Sequence, residues 1–584
     1  MQIINTNYAH YSIAEKFFIQ KIVELLEPRT LDSHRYRINN PKTLLKELCA
    51  VLRDFELRKI QHEEHVDKVI KELFEFIKDN QDTFLSFNFV KQTYFTKLLE
   101  KPKKEDFKNL SFVIKKLLQE NENYFEILST RISAEIAQLN SSSDINLSAL
   151  KKLDKMITYL VTEILDRGFA KKVVRDEIWE IFVKSNCTFV EAHQILRTKV
   201  ENTHLEERFK IIYRLQIPQK LNKPAIQGAR SETKETILAL TNTSITRAFV
   251  KPDNTFISFE ENGLDYMQVL NKSKRKLAEI LDILYLGYNH ANIKLHDYTL
   301  VINLQRPEQA KAHPIFYQTE GYYRSGESIY TDFNNKLNQI YTSSNINIEA
   351  KEKIKSGVRY LRMGSEAIEL EQKFVNYWLG LEYIFSTYGK STFSRILKHF
   401  SNAHLLVYVK RNFIEFHNDI VRLNLGTTIP NFDINNPIAY LKIKETYTNI
   451  IEQHKANFPL LALRAELYST LFREKELNQL IDNHYHNLQW NLGRIYRIRN
   501  EIVHDAAIDI NIEHITTHLR YYLSFILNNL LDFFTTQQAI SSHNLSIEDY
   551  FILNEVLYDD VRNGTKPKLL DFLEVNTNLE NENV

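Results

Sequence analysis

An arginine and a histidine stand close together in Gly493-Arg494-Ile495-Tyr496-Arg497-Ile498-Arg499-Asn500-Glu501-Ile502-Val503-His504-Asp505, toward the end of a 584-residue chain. Histidine titrates near neutral pH and can accept or deliver a proton. Arginine stays charged and presents a planar fork to phosphate oxygens. Cutting an RNA phosphodiester without a metal asks for those groups: an acceptor for the 2′-OH proton, a donor for the 5′-oxygen, and a fixed cation on the phosphate. Arg499 and His504 are therefore the candidate catalytic pair. The amide of Asn500 can position a phosphate oxygen or the histidine.

The spacing also says where the pair sits. On a helix, Leu488, Leu492, Ile495 and Ile502 form an apolar stripe at i, i+4, i+7 and i+14, and Arg499 takes the missing i+11 place. An arginine there is costly unless a carboxylate, a phosphate or a water-filled pocket receives it. His504 follows near a helix end, within reach of the same substrate group if the helix bends or stops there. Arg494 and Arg497 flank the pair and are candidates for gripping RNA phosphates. The bare spacing is common: Arg58/His65, Arg197/His204, Arg306/His313 and Arg411/His417 all fit R-x4-6-H. Only the compact R-N-x-x-x-H form singles out Arg499.

Other groups read as less informative. His62-Glu63-Glu64-His65 spaces its histidines i, i+3, where a zinc-protease helix needs i, i+4, so it reads as a solvated charged face. Asp482, His484 and His486 read as an exposed loop before the motif helix that can line the same cleft. The runs Lys101-Lys103-Lys104 and Lys272-Lys274-Arg275-Lys276 read as solvated helix faces. No P-loop and no strand-associated G-x-G-x-x-G occurs, and neither a metal site nor a cofactor is expected.

The elements around the motif are expected to be mainly α-helical. Gly (13) and Pro (12) are scarce, which disfavours a turn-rich sandwich or barrel. Lys and Arg (75) nearly balance Asp and Glu (74), so any nucleic-acid contact must come from local patches. Two cysteines, Cys49 and Cys187, suit a reducing cytoplasm, and no apolar run is long enough for a membrane span. Residues 1–216 read as an N-terminal helical domain. The stretch 217–235, with Pro218, Pro224 and Gly228, reads as a boundary. Residues 234–345 read as a small α+β middle domain, with strands in Thr236–Val250, Asn254–Phe259 and Thr299–Leu304. Helices are expected over Ala350–Tyr388, Phe393–Phe400, Pro437–Ala456, Leu460–Phe472, Leu488–His504 and Ile512–Thr536, and residues 567–584 as a flexible tail.

Upstream of the motif, Phe374-Val375-Asn376-Tyr377-Trp378-Leu379-Gly380-Leu381-Glu382 is similar to the W-x-x-L-E first helix of the Apea-like HEPN family. With R-N-x-x-x-H on a late helix, residues 350–537 resemble that family of prokaryotic anti-phage ribonucleases. The resemblance implies a helical bundle that dimerises and sets two motifs across one cleft. It implies metal-independent endoribonuclease activity, leaving 2′,3′-cyclic phosphate and 5′-OH ends, with Arg499 and His504 catalytic, Asn500 assisting and Glu382 orienting Arg499. It further implies an abortive-infection effector that cuts cellular RNA, tRNA among the candidates, when a phage-derived trigger acts on the N-terminal regions. Ala506 stands where nucleotidyltransferase-controlled HEPN toxins carry a tyrosine, which argues against that form of control. Two other readings stay open: a non-catalytic HEPN module for RNA binding or dimerisation, and a helical phage-sensing scaffold.

Overall fold

The computed structural model describes residues 10–28, 39–60, 63–78, 83–100, 102–141, 147–202, 206–216, 229–251, 255–287, 294–315, 326–387, 391–505, 512–538, 544–564 and 568–575. Side chains 283–287, 504–505 and 563–564 lie outside that description. The chain is mainly helical with a small antiparallel sheet in its middle. Among the described residues, no helix is long and apolar enough to cross a membrane.

The N-terminal helices build two separate cores. One joins Ile13–Leu26, Tyr124–Asn140, Leu147–Asp166 and Phe189–Glu201 around Phe17, Phe18, Tyr124 and Leu160. Leu460, Ala462 and Leu463, from a helix over Pro459–Thr470, are buried in that same core. The other joins Pro41–Glu56, Glu63–Ile77, Gln92–Glu100 and Phe107–Glu120 around Leu45, Leu48, Ile70, Leu73 and Ile114. This small bundle starts with Asn40, whose side chain caps the helix of the Leu44–Phe55 stripe by accepting from Thr43 N at 2.8 Å.

The sheet has five strands, β1 (Glu207–Gln216), β2 (Arg230–Glu232), β3 (Thr255–Gly263), β4 (Lys294–Asn303) and β5 (Arg306–Pro314), ordered β2-β3-β1-β4-β5. A helix over Tyr266–Gly287 covers one face, meeting Ile211, Tyr213 and Phe259. Ile212, Phe256, Leu300 and Ile302 form the core of the other face with Ile237 and Phe249.

The sheet corrects the expected boundaries. β1 lies within the stretch 1–216 read as helical. It is the central strand, buried on both faces from Phe209 to Tyr213, so it shows no alternation and its apolar run does not distinguish strand from helix. Thr236–Val250, read as strand, forms two short helices, Lys234–Leu240 and Ser244–Phe249. Thr233 and Thr243 are their N-caps, so Thr243, which looked like a strand residue, serves a helix start. The strand readings at Asn254–Phe259 and Thr299–Leu304 fall largely on β3 and β4. Residues 217–228 and 252–254 lie outside the described residues.

The C-terminal helices share the largest core. The helix expected over Ala350–Tyr388 is two, Ile348–Glu366 and Leu370–Phe385, separated by extended backbone from Ala367. They pack closely because of glycines: a Cβ on Gly364 would meet the Tyr377 ring at 2.3 Å, and one on Gly380 would meet Tyr360 at 3.1 Å. The flexible tail read over 567–584 needs one correction. Leu569–Glu574 is a helix that buries Leu569, Phe572 and Leu573; residues 576–584 lie outside the description.

Three imidazoles are buried in these cores in a form that resists protonation. Burial, with Arg197 nearby, lowers His193 to about 4, and burial beside Lys172 and Lys311 lowers His313 to about 4. Burial next to His484 holds His404 well below the usual histidine range. An unfolded histidine titrates near pH 6.5. Between about pH 6.5 and about pH 4 the unfolded chain therefore binds protons that the fold refuses, and stability falls as pH falls. Thermal unfolding followed across that window should show a falling midpoint, and His193→Gln should make the fall shallower.

Candidate functional site

The helix that carries the motif runs over Glu474–Asp505, starting well before the expected Leu488. Asp482, His484 and His486 are therefore helical and not in a loop. Asp482 pairs with Arg562. His484 is buried, its Nε2 3.0 Å from His404 Nδ1 and its ring stacked 3.5 Å from Tyr408, so it belongs to the core and not to a cleft.

The apolar stripe faces inward: Leu488, Leu492, Ile495 and Ile498 are buried, and Ile502 packs at its edge. Asn491 fixes the helix against Glu513–Gln537 by donating to Tyr522 Oη at 2.7 Å. Arg499 emerges half-buried at this edge, and Glu382 on Leu370–Phe385 faces it, with Nη2 to Oε2 at 3.7 Å. Trp378 is fully buried one turn before Glu382, and its Nε1 donates to Glu382 Oε2 at 2.8 Å. The indole thus fixes the carboxylate that orients the guanidinium. Asn500 Oδ1 accepts from Arg499 Nη1 at 3.1 Å. Trp378, Glu382, Arg499 and Asn500 form one continuous polar chain.

His504 lies in the last turn of the same unbroken helix, while its side chain and Ala506 lie outside the described residues. Five residues of regular helix place its Cα about 7.5 Å along the axis and about 140° around from that of Arg499. The helix runs through Arg499 without a break, so only the long arginine side chain or the helix end can bring the two heads onto one group.

Arg494 and Arg497 are placed differently from the phosphate-gripping role expected of them. Arg494 Nε donates to both carboxylate oxygens of Glu47 at 3.0 Å, and its Nη2 donates to Glu47 at 2.7 Å and Glu72 at 2.8 Å. Arg497 Nη2 also pairs with Glu47. The side chains of Arg497 and Glu72 are only 5% and 1% exposed. The two carboxylates hold Arg494 charged, above the usual arginine value, against a burial that opposes it. These arginines are engaged by the small N-terminal bundle, which leaves no free fork for a phosphate.

Aromatic contacts reinforce the same junction. Tyr496 stacks on Phe393 with centroids 4.2 Å apart and on His65 of the small bundle at 5.5 Å. Lys68 lies 5.2 Å from the Phe393 ring, and its Cδ is 3.5 Å from where a Cβ on Gly493 would stand. His62 lies outside the described residues, and His65, read as a solvated residue, is a packing contact. The chance pairs fare likewise: His417 is buried against Tyr440 Oη at 2.8 Å, and His313 stacks on Tyr266 at 4.6 Å. Glu47 and Glu72 carry no local sign of their role, because a bundle carboxylate that meets a distant arginine looks like any helix-surface residue.

Comparisons with protein-family models, with curated proteins and with solved structures gave no match to this chain.

Removing one member of a buried ion cluster leaves the others uncompensated. Arg494→Ala should therefore destabilise the protein by about 3–5 kcal/mol, the scale of a broken buried pair. Arg362→Ala, which breaks an exposed i, i+4 pair with Glu366, should cost less than about 1 kcal/mol. Denaturant unfolding of both variants checks the contrast.

Proposed function

We propose that this chain is a metal-independent endoribonuclease of the HEPN type, held silent by its own N-terminal helices. The observation that carries the reading is the placement of Arg499: on a core helix of the C-terminal bundle, half-exposed, and oriented by a Trp378–Glu382 pair from the helix that resembles the family's first. An arginine held this way is a preorganised cation for the charge that develops on a phosphorane. His504 handles proton transfer at the 2′-OH or the 5′-oxygen, and Asn500 helps to align Arg499. A second copy of the chain completes the cleft in this reading, and a phage-derived trigger releases it to cut cellular RNA, tRNA among the candidates.

The engagement of Arg494 and Arg497 supports restraint from within the chain, since phosphate and Glu47 compete for the same guanidinium groups. It equally favours a second reading, a helical sensing scaffold in which these arginines serve only to join two bundles. Activity separates the two. Purified protein incubated with total RNA in EDTA should leave 2′,3′-cyclic phosphate and 5′-OH ends, and Arg499→Ala and His504→Ala should each lower cleavage by at least about a hundredfold. Cleavage that survives both changes, or that needs magnesium throughout, would falsify the mechanism.

Restraint has its own test. Glu47→Gln combined with Glu72→Gln should raise RNA cleavage, or growth arrest on expression in cells, above wild type, and His504→Ala added to the pair should abolish the gain. A fall in stability with no gain in either readout would count for the scaffold.

A further inference from the structure

A cavity of about 890 Å³ lies where three parts of the molecule meet: the helix Ile13–Leu26 with Leu147–Asp166, the small bundle's Glu63–Ile77, and the C-terminal helices Pro459–Thr470 and Glu474–Asp505. The volume falls in the range of small-molecule sites. Its lining carries five cationic side chains against three carboxylates; Lys21 pairs with Asp154, Lys151 with Glu466 and Arg464 with Glu24 and Asp419. The cations come mainly from the N-terminal side, with Lys71, Lys151 and Lys155 on two neighbouring helices.

The lining from the motif helix is of another kind. Asn483, His486, Asn487 and Trp490 follow one another at i, i+3, i+4 and i+7 on the motif helix, a single face of aromatic and amide groups. His486 and Trp490 are stacked with centroids 5.9 Å apart. A flat heteroaromatic ring can lie on such a surface, and the amides can meet its polar edge. The cations elsewhere in the lining can then meet an anionic group on the same molecule.

We propose that this cavity is a binding site for a ribonucleotide, with the base against Trp490 and His486 and the phosphates toward Lys71, Lys151 and Lys155. Simple anion attraction would not need the aromatic–amide wall, and an apolar ligand would not need the lysines. The site stands apart from Arg499 and does not depend on ribonuclease activity. Its position has a consequence all the same: Lys71 precedes Glu72, so a ligand here bears on the helix that holds Arg494.

Calorimetric titration of the full chain with ATP, GTP, CTP and UTP tests the proposal. At least one should bind with one-to-one stoichiometry, and more tightly than inorganic tripolyphosphate or the matching nucleoside. Lys71→Glu with Lys155→Glu should weaken that binding at least tenfold, and Trp490→Leu should do so by a separate loss of base stacking. Thermal unfolding of each variant confirms folding; the charge-reversed pair lies toward the surface and serves if Trp490→Leu fails to fold. Absence of binding by all four at millimolar concentration would overturn the proposal. So would binding no tighter than tripolyphosphate, or binding unchanged in the charge-reversed pair.

Discussion

Four charged side chains set the relation between the two ends of this protein. Glu47 and Glu72 stand on the small N-terminal bundle, Arg494 and Arg497 on the motif helix, and all four lie largely out of water. Desolvating an ion costs several kcal/mol, which is recovered only when geometry and hydrogen bonding are good. Here the forks of two arginines supply that geometry. A slip of the small bundle by one residue would leave buried charges without partners, so the cluster fixes register more than it adds net stability. The His65–Tyr496–Phe393 stack and the approach of Lys68 to Gly493 are positioned by that register.

The two N-terminal bundles are attached in physically different ways. The larger one shares a hydrophobic core with Leu460, Ala462 and Leu463, and Arg464, held on its own side by Asp419 at 3.0 Å, ties it further through Glu24. Separating it would expose apolar surface and break a buried ion cluster together. The small bundle keeps its own core and meets the motif helix through charges and aromatic edges. Water and phosphate can replace such contacts; nothing in water replaces a shared core. In the proposed reading, release of the motif helix with least loss of apolar burial would run through the small bundle, whose Glu63–Ile77 helix is also a wall of the cavity.

What was legible in the sequence follows from whether the cause is local. The apolar stripe of the motif helix, the intrusion of Arg499 into it and the helical class of both ends rest on periodicity, and the packing follows the stripe. β1 was missed because a strand buried on both faces does not alternate. The split at Ala367 was missed because it turns on Gly364 fitting against Tyr377, a contact between two helices. The fates of Arg494 and Arg497 could not be read at all, since their partners lie more than four hundred residues away and look like surface glutamates.

Three arginines on one helix are thereby sorted by their partners. Arg494 and Arg497 are close-paired and nearly sealed, and a group in that state is not available to a substrate without first losing its carboxylates. Arg499 keeps a 3.7 Å ion pair with Glu382, beyond hydrogen-bond range, one hydrogen bond to the neighbouring Asn500, and a side chain 24% exposed. Its partner is itself fixed by a buried indole, so the guanidinium is oriented without being saturated. A cation that serves a developing charge needs both properties: orientation before the reaction and donors left over for it. That difference in pairing, which spacing along the helix does not reveal, is what makes Arg499 the centre of the proposed site and its two neighbours part of the proposed restraint.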